Sequence, residues 1–220
     1  MVTAVGQEIY RDYLSSLLAG RRRHCSEIVN HLIGQGLPIR RLHVDLFQAS
    51  MYEVGELWAA NQISVATEHL CTAVTESLLN QLSLEITSRN RVGKVVMVAG
   101  IRPELHQVGG KIVADTFEMC GWDSLYIGSN TPPDDLARMV RETKPHVVAL
   151  SLVMYFNLSA LRAAVEELRR DSPALPVIVG GHGFQSGGTD IANQYPGVSY
   201  IPSLEELDLY IHRFCREHPS

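Results

Sequence analysis

The spacing of apolar residues changes once along this chain, and that change limits the possible folds more than any other feature. From Val5 to about Ile86 apolar side chains recur at helical intervals: Ile9, Tyr13 and Leu17 in one stretch, then Leu42, Leu46, Met51, Val54, Leu57 and Trp58 in another. Pro38 is the one proline of this half, and Gly20, Gly34-Gln35-Gly36 and Asn61-Gln62 interrupt the pattern. Four helices are therefore predicted over residues 5–19, 22–34, 38–60 and 63–87. Short connections favour packing them as an antiparallel bundle. Ser88 to Val92, with Arg89 and Arg91, reads as a polar connector, so the helical domain is assigned residues 1–88 and a second domain residues 92–220.

Beyond the connector the apolar residues come in short continuous runs. Lys94–Ala99, Ser124–Ile127, Val147–Ser151, Pro176–Val179 and Ser199–Ile201 are rich in β-branched residues. Helical stretches follow them, starting near Val108, Pro133, Ser159, Thr189 and Leu204. Parallel strands need such crossovers and are covered on both faces, which explains runs with no polar alternation. The expected class is α/β: a four-helix bundle followed by a flavodoxin-like (Rossmann-like), doubly wound, five-stranded parallel sheet. Ligands of such sheets bind outside the carboxyl ends of the strands.

Composition removes several functions. Nineteen Lys and Arg against 24 Asp and Glu give a net charge of -5, so no overall positive field holds nucleic acid. Four cysteines, Cys25, Cys71, Cys120 and Cys215, lie far apart without a C-x-x-C pair. This spacing fits reduced, buried thiols better than a zinc site or disulfide framework. No apolar run is long enough to span a membrane, and no signal-peptide core opens the chain, so a cytoplasmic location is expected. Neither a nucleophile–base pair nor a phosphate loop is evident, and no independent catalysis is expected.

Three strand ends carry the chemistry. The loop after the first run contains Glu104-Leu105-His106-Gln107-Val108-Gly109, the third run ends at Ser151-Leu152-Val153, and the fourth ends at Gly180-Gly181. In this topology all three face one crevice. A lone loop histidine is usually a surface residue, but here it has an acid two residues before it and glycine three after, and glycine pairs permit close backbone approach.

These motifs resemble the cobalamin-binding domains of methionine synthase and its relatives, over about residues 92–212. The resemblance implies that His106 is the lower axial ligand to cobalt and that Glu104, where Asp is more usual, orients it. It further implies that Ser151 meets the nucleotide tail and that Gly180 and Gly181 accommodate it, with Gln107, Val108, Gly109 and Val153 completing the motifs. The helical half resembles the cap of cobalamin-dependent photoreceptors, the light-sensing repressors that hold adenosylcobalamin in the dark. Their marker is Trp, nine residues, then Glu-His, and Trp58 with Glu68-His69 reproduces it, Val65 lying between. The resemblance makes Trp58 a lid over the upper ligand and Glu68 an acceptor for adenosyl hydroxyls or amine. Trp58 is expected to end one helix and Glu68 to lie in the second turn of the next.

Ala59 departs from the pattern: the repressors have a histidine there that takes the upper cobalt position after illumination. His69, His43 or water are the remaining candidates. With no winged-helix domain expected before the cap, signalling is expected through an unidentified partner protein or a homo-oligomer, most simply a dimer. Short members of this family also bind a bilin (biliverdin) as a second chromophore. Arg21-Arg22-Arg23 with His24 is the candidate receptor for its propionates, although such a run more often forms a solvated helix face. The competing enzyme-class reading is a corrinoid protein that shuttles methyl groups between methyltransferases.

Overall fold

The computed structural model describes residues 4–86 and 90–219. Thr87, the last residue of the predicted fourth helix, and Ser88 and Arg89 of the connector lie outside them. The chain divides into two compact units, Met1–Glu85 and Ile86–Ser220.

The first unit contains α1 (Gln7–Leu18), α2 (Arg22–Gly34), α3 (Ile39–Arg41), α4 (Ala49–Ala59) and α5 (Val65–Ser83). Between α3 and α4 the chain stays helical through a π segment, Leu42–Gln48, so the three pieces form one continuous rod where a single helix was expected. The segment carries Leu42, His43, Leu46 and Phe47 into the interior, all four fully enclosed. Hydrophobic spacing alone does not separate the wider i→i+5 turn from an α-helix. Ser64 sets the start of α5: its hydroxyl accepts from the Thr67 N–H at 3.1 Å, so the helix begins two residues later than the apolar pattern suggests. Tyr13, Leu17, Cys25, Leu32, Val54, Cys71, Leu78 and Leu79 complete the core.

The second unit is a five-stranded parallel sheet of order β2-β1-β3-β4-β5, built from β1 (Val95–Gly100), β2 (Asp123–Tyr126), β3 (Val147–Ser151), β4 (Val177–Gly180) and β5 (Val198–Tyr200). Its helices are α6 (Val108–Met119), α7 (Pro133–Thr143), α8 (Leu158–Asp171), α9 (Ile191–Gln194) and α10 (Leu204–Glu217). Met97, Ala99, Val148, Leu150, Val177 and Val179 turn one face of the sheet onto Leu136 and Val140 of α7 and Leu161 and Val165 of α8. The alternate strand residues turn the other way, and α6 and α10 pack against each other. All five residues of β3 are buried, as a central parallel strand requires.

Two helix starts of this unit differ from expectation. The helix placed near Thr189 is a single turn, because Gly187 and Gly188 take positive φ before it and Pro196 stops it. A 3-10 turn, Tyr155–Asn157, precedes α8 at Leu158. Among the described residues no helix is long and apolar enough to cross a membrane. None of the four cysteines is in a disulfide; Cys25 and Cys71 are buried, and burial pushes both thiols up to about 11. Cys120 and Cys215 are only partly covered, contrary to the expectation of buried thiols throughout.

Candidate functional site

The β1–α6 loop leaves the carboxyl edge of the sheet and folds an acid inward. Glu104 is 1% exposed. Its Oε1 accepts from His106 Nδ1 at 2.5 Å and from the His106 N–H at 3.3 Å. Its Oε2 accepts from the N–H groups of Val153 at 2.9 Å and Met154 at 3.0 Å, and from Asn157 Nδ2 at 3.3 Å. Burial alone would raise this carboxyl, but the hydrogen bonds from His106 and from the Met154 and Val153 N–H groups outweigh it and hold the group at about 2. The carboxylate is therefore ionised at neutral pH. An ionised acceptor fixes the His106 proton on Nδ1 and leaves Nε2 with its lone pair. His106 itself keeps 36% of its side chain exposed.

The neighbouring motifs meet at this edge. Ser151 ends β3 in register with Gly100 and Gly180. A Cβ at Gly109 would stand 3.6 Å from Ser151 Oγ. Gln107 precedes α6, its carbonyl accepting from the Tyr126 hydroxyl at 3.2 Å, and Val108 opens the helix. Val153 contributes through its backbone, so its side-chain identity does not alter that contact. Gly181 has φ +116°, and a Cβ there would lie 2.2 Å from the Leu152 carbonyl oxygen; one at Gly180 would lie 2.8 Å from that of Ile201. The glycine pair thus permits the close approach expected of it, with the protein's own loops as the approaching backbone. Met154 and Asn157 were missed by the sequence reading. Their signal is indirect: a buried carboxylate must find donors, and the loop after the adjacent strand is where they lie.

The helical unit holds the other residues. Trp58 is the penultimate residue of α4 and 38% exposed, while Val65 opens α5 and is 51% exposed. Glu68 lies in the first turn of α5, not the second, because Ser64 rather than Ile63 marks the helix start. Its side chain is 13% exposed, accepts from Thr72 Oγ1 at 2.8 Å and stands 3.7 Å from His69 Nε2. His69 is largely exposed and Ala59 ends α4 at the surface. His43 is fully enclosed within the unit, and burial, with Arg40 nearby, lowers it to about 4. Of the two histidines considered in place of Ala59, only His69 offers an exposed ring. Arg22 donates to Ser77 at 2.7 Å, Arg23 pairs with Glu27 at 3.3 Å, and His24 sits between Asp12 and Glu27.

A buried carboxylate clamping a half-buried histidine beyond a parallel sheet coincides with a family match. The B12 binding domain matches residues 94–205, and a second family, also described as a B12 binding domain, matches residues 9–83. The chain belongs to the B12-binding family. It binds cobalamin, and the donor set fits that group: His106 offers one basic nitrogen held by an ionised carboxylate, the arrangement that metal-ligating imidazoles generally require. The chain is 27% identical over 163 residues to the HTH-type transcriptional repressor CarH of Myxococcus xanthus, covering 73% of this chain and 53% of that protein. It is 26% identical over 131 residues to the trimethylamine corrinoid protein of Methanosarcina barkeri, covering 58% of this chain and 60% of that protein. The chain thus spans little more than half the length of these relatives. Its fold matches the monomethylamine corrinoid protein of Methanosarcina barkeri with a TM-score of 0.83 at 12% identity, covering 96% of this chain and all of that one.

Proposed function

We propose that this chain is a light sensor that holds adenosylcobalamin with His106 as lower ligand and signals through a partner protein or its own assembly. One observation supports the adenosyl reading above the others: Trp58 and Glu68-His69 keep the photoreceptor spacing, and they fall at the end of α4 and the start of α5. Adenosylcobalamin supplies a light-labile cobalt–carbon bond. For the protein's part, Glu104 holds the His106 ring, and Ser151, Gly109, Gly180 and Gly181 border the nucleotide tail. In the helical unit Trp58 covers the adenosyl group, Val65 adds apolar surface and Glu68 accepts its hydrogen bonds. His69 is the protein candidate for the upper position after illumination, Ala59 having no donor atom. Light acts as the differential interaction that biases a two-state packing of the helical unit. A homodimer is the simplest assembly to report that change.

The test is the visible spectrum of the chain reconstituted with adenosylcobalamin, before and after green light. His106→Ala should give a base-off spectrum in the dark, and Trp58→Ala and Glu68→Ala should lose preference for adenosylcobalamin over methylcobalamin in calorimetry. A His106→Ala spectrum identical to wild type removes the ligand assignment, and an unchanged preference removes the cap as an adenosyl reader. Scattering-coupled size exclusion in dark and light tests the dimer. A bilin belongs to the same reading, and a red absorption band after incubation with biliverdin would reveal it.

The second reading, a corrinoid protein carrying methyl groups between methyltransferases, is favoured by the similarity to the trimethylamine corrinoid protein. A preference for methylcobalamin, with an assembly state that does not change on illumination, would select it.

A further inference from the structure

Away from the carboxyl edge, three side chains of different donor type converge between α6 and α10. Cys120 closes α6 just ahead of β2, towards the amino end of the sheet, and Asp208 and His212 stand one turn apart on α10. The donor atoms of the three lie within 4.8 Å of one another. Cys120 Sγ is 3.5 Å from Asp208 Oδ1, and His212 Nδ1 is also 3.5 Å from Asp208 Oδ1. Metal bonds of about 2.3 Å to sulfur and roughly 2.0–2.2 Å to nitrogen and oxygen, at tetrahedral angles, separate the donors by about 3.3–3.6 Å. Both 3.5 Å separations fall in that range.

The frame beneath the cluster is rigid. Gly121 takes φ +85° and turns the chain directly after Cys120. Trp122, fully buried, then packs edge-on against Phe117 of α6 at 5.1 Å and, tilted, against Phe214 of α10 at 5.3 Å between ring centroids. These contacts hold the two helices at the spacing that brings the donors together, which lowers the ordering cost of binding. Thiolate, imidazole and carboxylate together suit zinc better than the hard cations calcium and magnesium, which select oxygen alone.

We infer that Cys120, Asp208 and His212 form a three-ligand site for a zinc-type divalent cation, with a fourth position left to solvent. This site is independent of cobalamin binding. On binding, the Cys120 thiol proton passes to solvent. His212 Nδ1, which otherwise donates to the Asp208 backbone carbonyl at 2.8 Å, gives that proton to solvent while Nε2 takes one up, and the freed Nδ1 lone pair turns to the metal. Side-chain exposures of 59% for His212 and 26% for Asp208 provide an entry path.

Equilibrium dialysis of the whole, untagged chain against Zn²⁺ tests the assignment. The wild type should take up one equivalent more than Cys120→Ser or His212→Gln, whose affinity at this site should fall at least about tenfold. Zinc taken up by other histidines is common to all chains and cancels in the difference. Cys215→Ser should match the wild type, and Zn²⁺ should protect Cys120 but not Cys215 from iodoacetamide. Equal uptake by wild type and His212→Gln, or alkylation of Cys120 indifferent to zinc, would overturn the site. If Cys120→Ser fails to fold, His212→Gln decides, since its side chain is exposed.

Discussion

Replacing Glu104 with glutamine alters the charge at the centre of the proposed cobalamin site and little of its shape. In the wild type one carboxylate oxygen serves His106 and the other serves Val153, Met154 and Asn157. A glutamine oxygen that stays on the Val153 and Met154 N–H groups turns its NH2 toward His106 Nδ1. An NH2 does not accept, so the ring must present its Nδ1 lone pair and carry the proton on Nε2. The nitrogen assigned to cobalt is then blocked. The energetic cost follows from the acid: its displacement from 4.5 to about 2, at about 1.4 kcal/mol per decade, corresponds to roughly 3 kcal/mol in favour of the charged form. The amide forfeits that preference at pH 7. Urea unfolding should show Glu104→Gln less stable by about 3 kcal/mol, and the reconstituted variant should be base-off. A depressed carboxylate contributes stability above its unfolded value and loses it as pH falls through the folded one. The gap between wild type and variant should therefore close between pH 4.5 and about 2. A gap that stays constant with pH would mean a steric cost, and a variant with wild-type spectrum and stability would refute the electrostatic account altogether.

Other substitutions probe the framework. Gly181→Ala places a Cβ 2.2 Å from the Leu152 oxygen at φ +116°; it should cost about 2–4 kcal/mol by thermal or urea unfolding. Trp122→Ala empties the space between Phe117 and Phe214, and chemical denaturation should record a loss of about 3–5 kcal/mol. His43, lowered to about 4 by burial, binds a proton in the unfolded chain before it does in the folded one. Stability should fall by roughly 3 kcal/mol as pH drops from the ordinary histidine value to about 4. His43→Gln should flatten that part of the pH–stability curve; an unchanged slope would show that the folded ring titrates normally.

Much of the site was legible because its parts are local. Glu104 and His106 are two residues apart on one loop, and a strand run followed by a helical run puts that loop at the carboxyl edge whatever the side chains do. Ser151 and Gly180 follow by the same reasoning at the ends of their own strands. The depth of Glu104 was not legible, because three of its donors come from Val153, Met154 and Asn157, about fifty residues further along. The turn assignment of Glu68 failed for a smaller reason: the Ser64 hydroxyl, rather than apolar Ile63, decided where α5 begins.

Periodicity is a statement about which side of a segment is buried, and burial pattern is carried residue by residue. The sequence alone therefore determined four helical stretches, five buried strands and the parallel, doubly wound class. Partner choice is different, since it depends on which loops the strand order brings side by side. Only the tertiary structure decided that the π turn encloses His43, that Gly181 abuts the Leu152 carbonyl, and that Cys120 faces Asp208 across 88 residues of chain. Each is a contact between segments whose local sequences carry no record of one another, and close packing, not propensity, selects it.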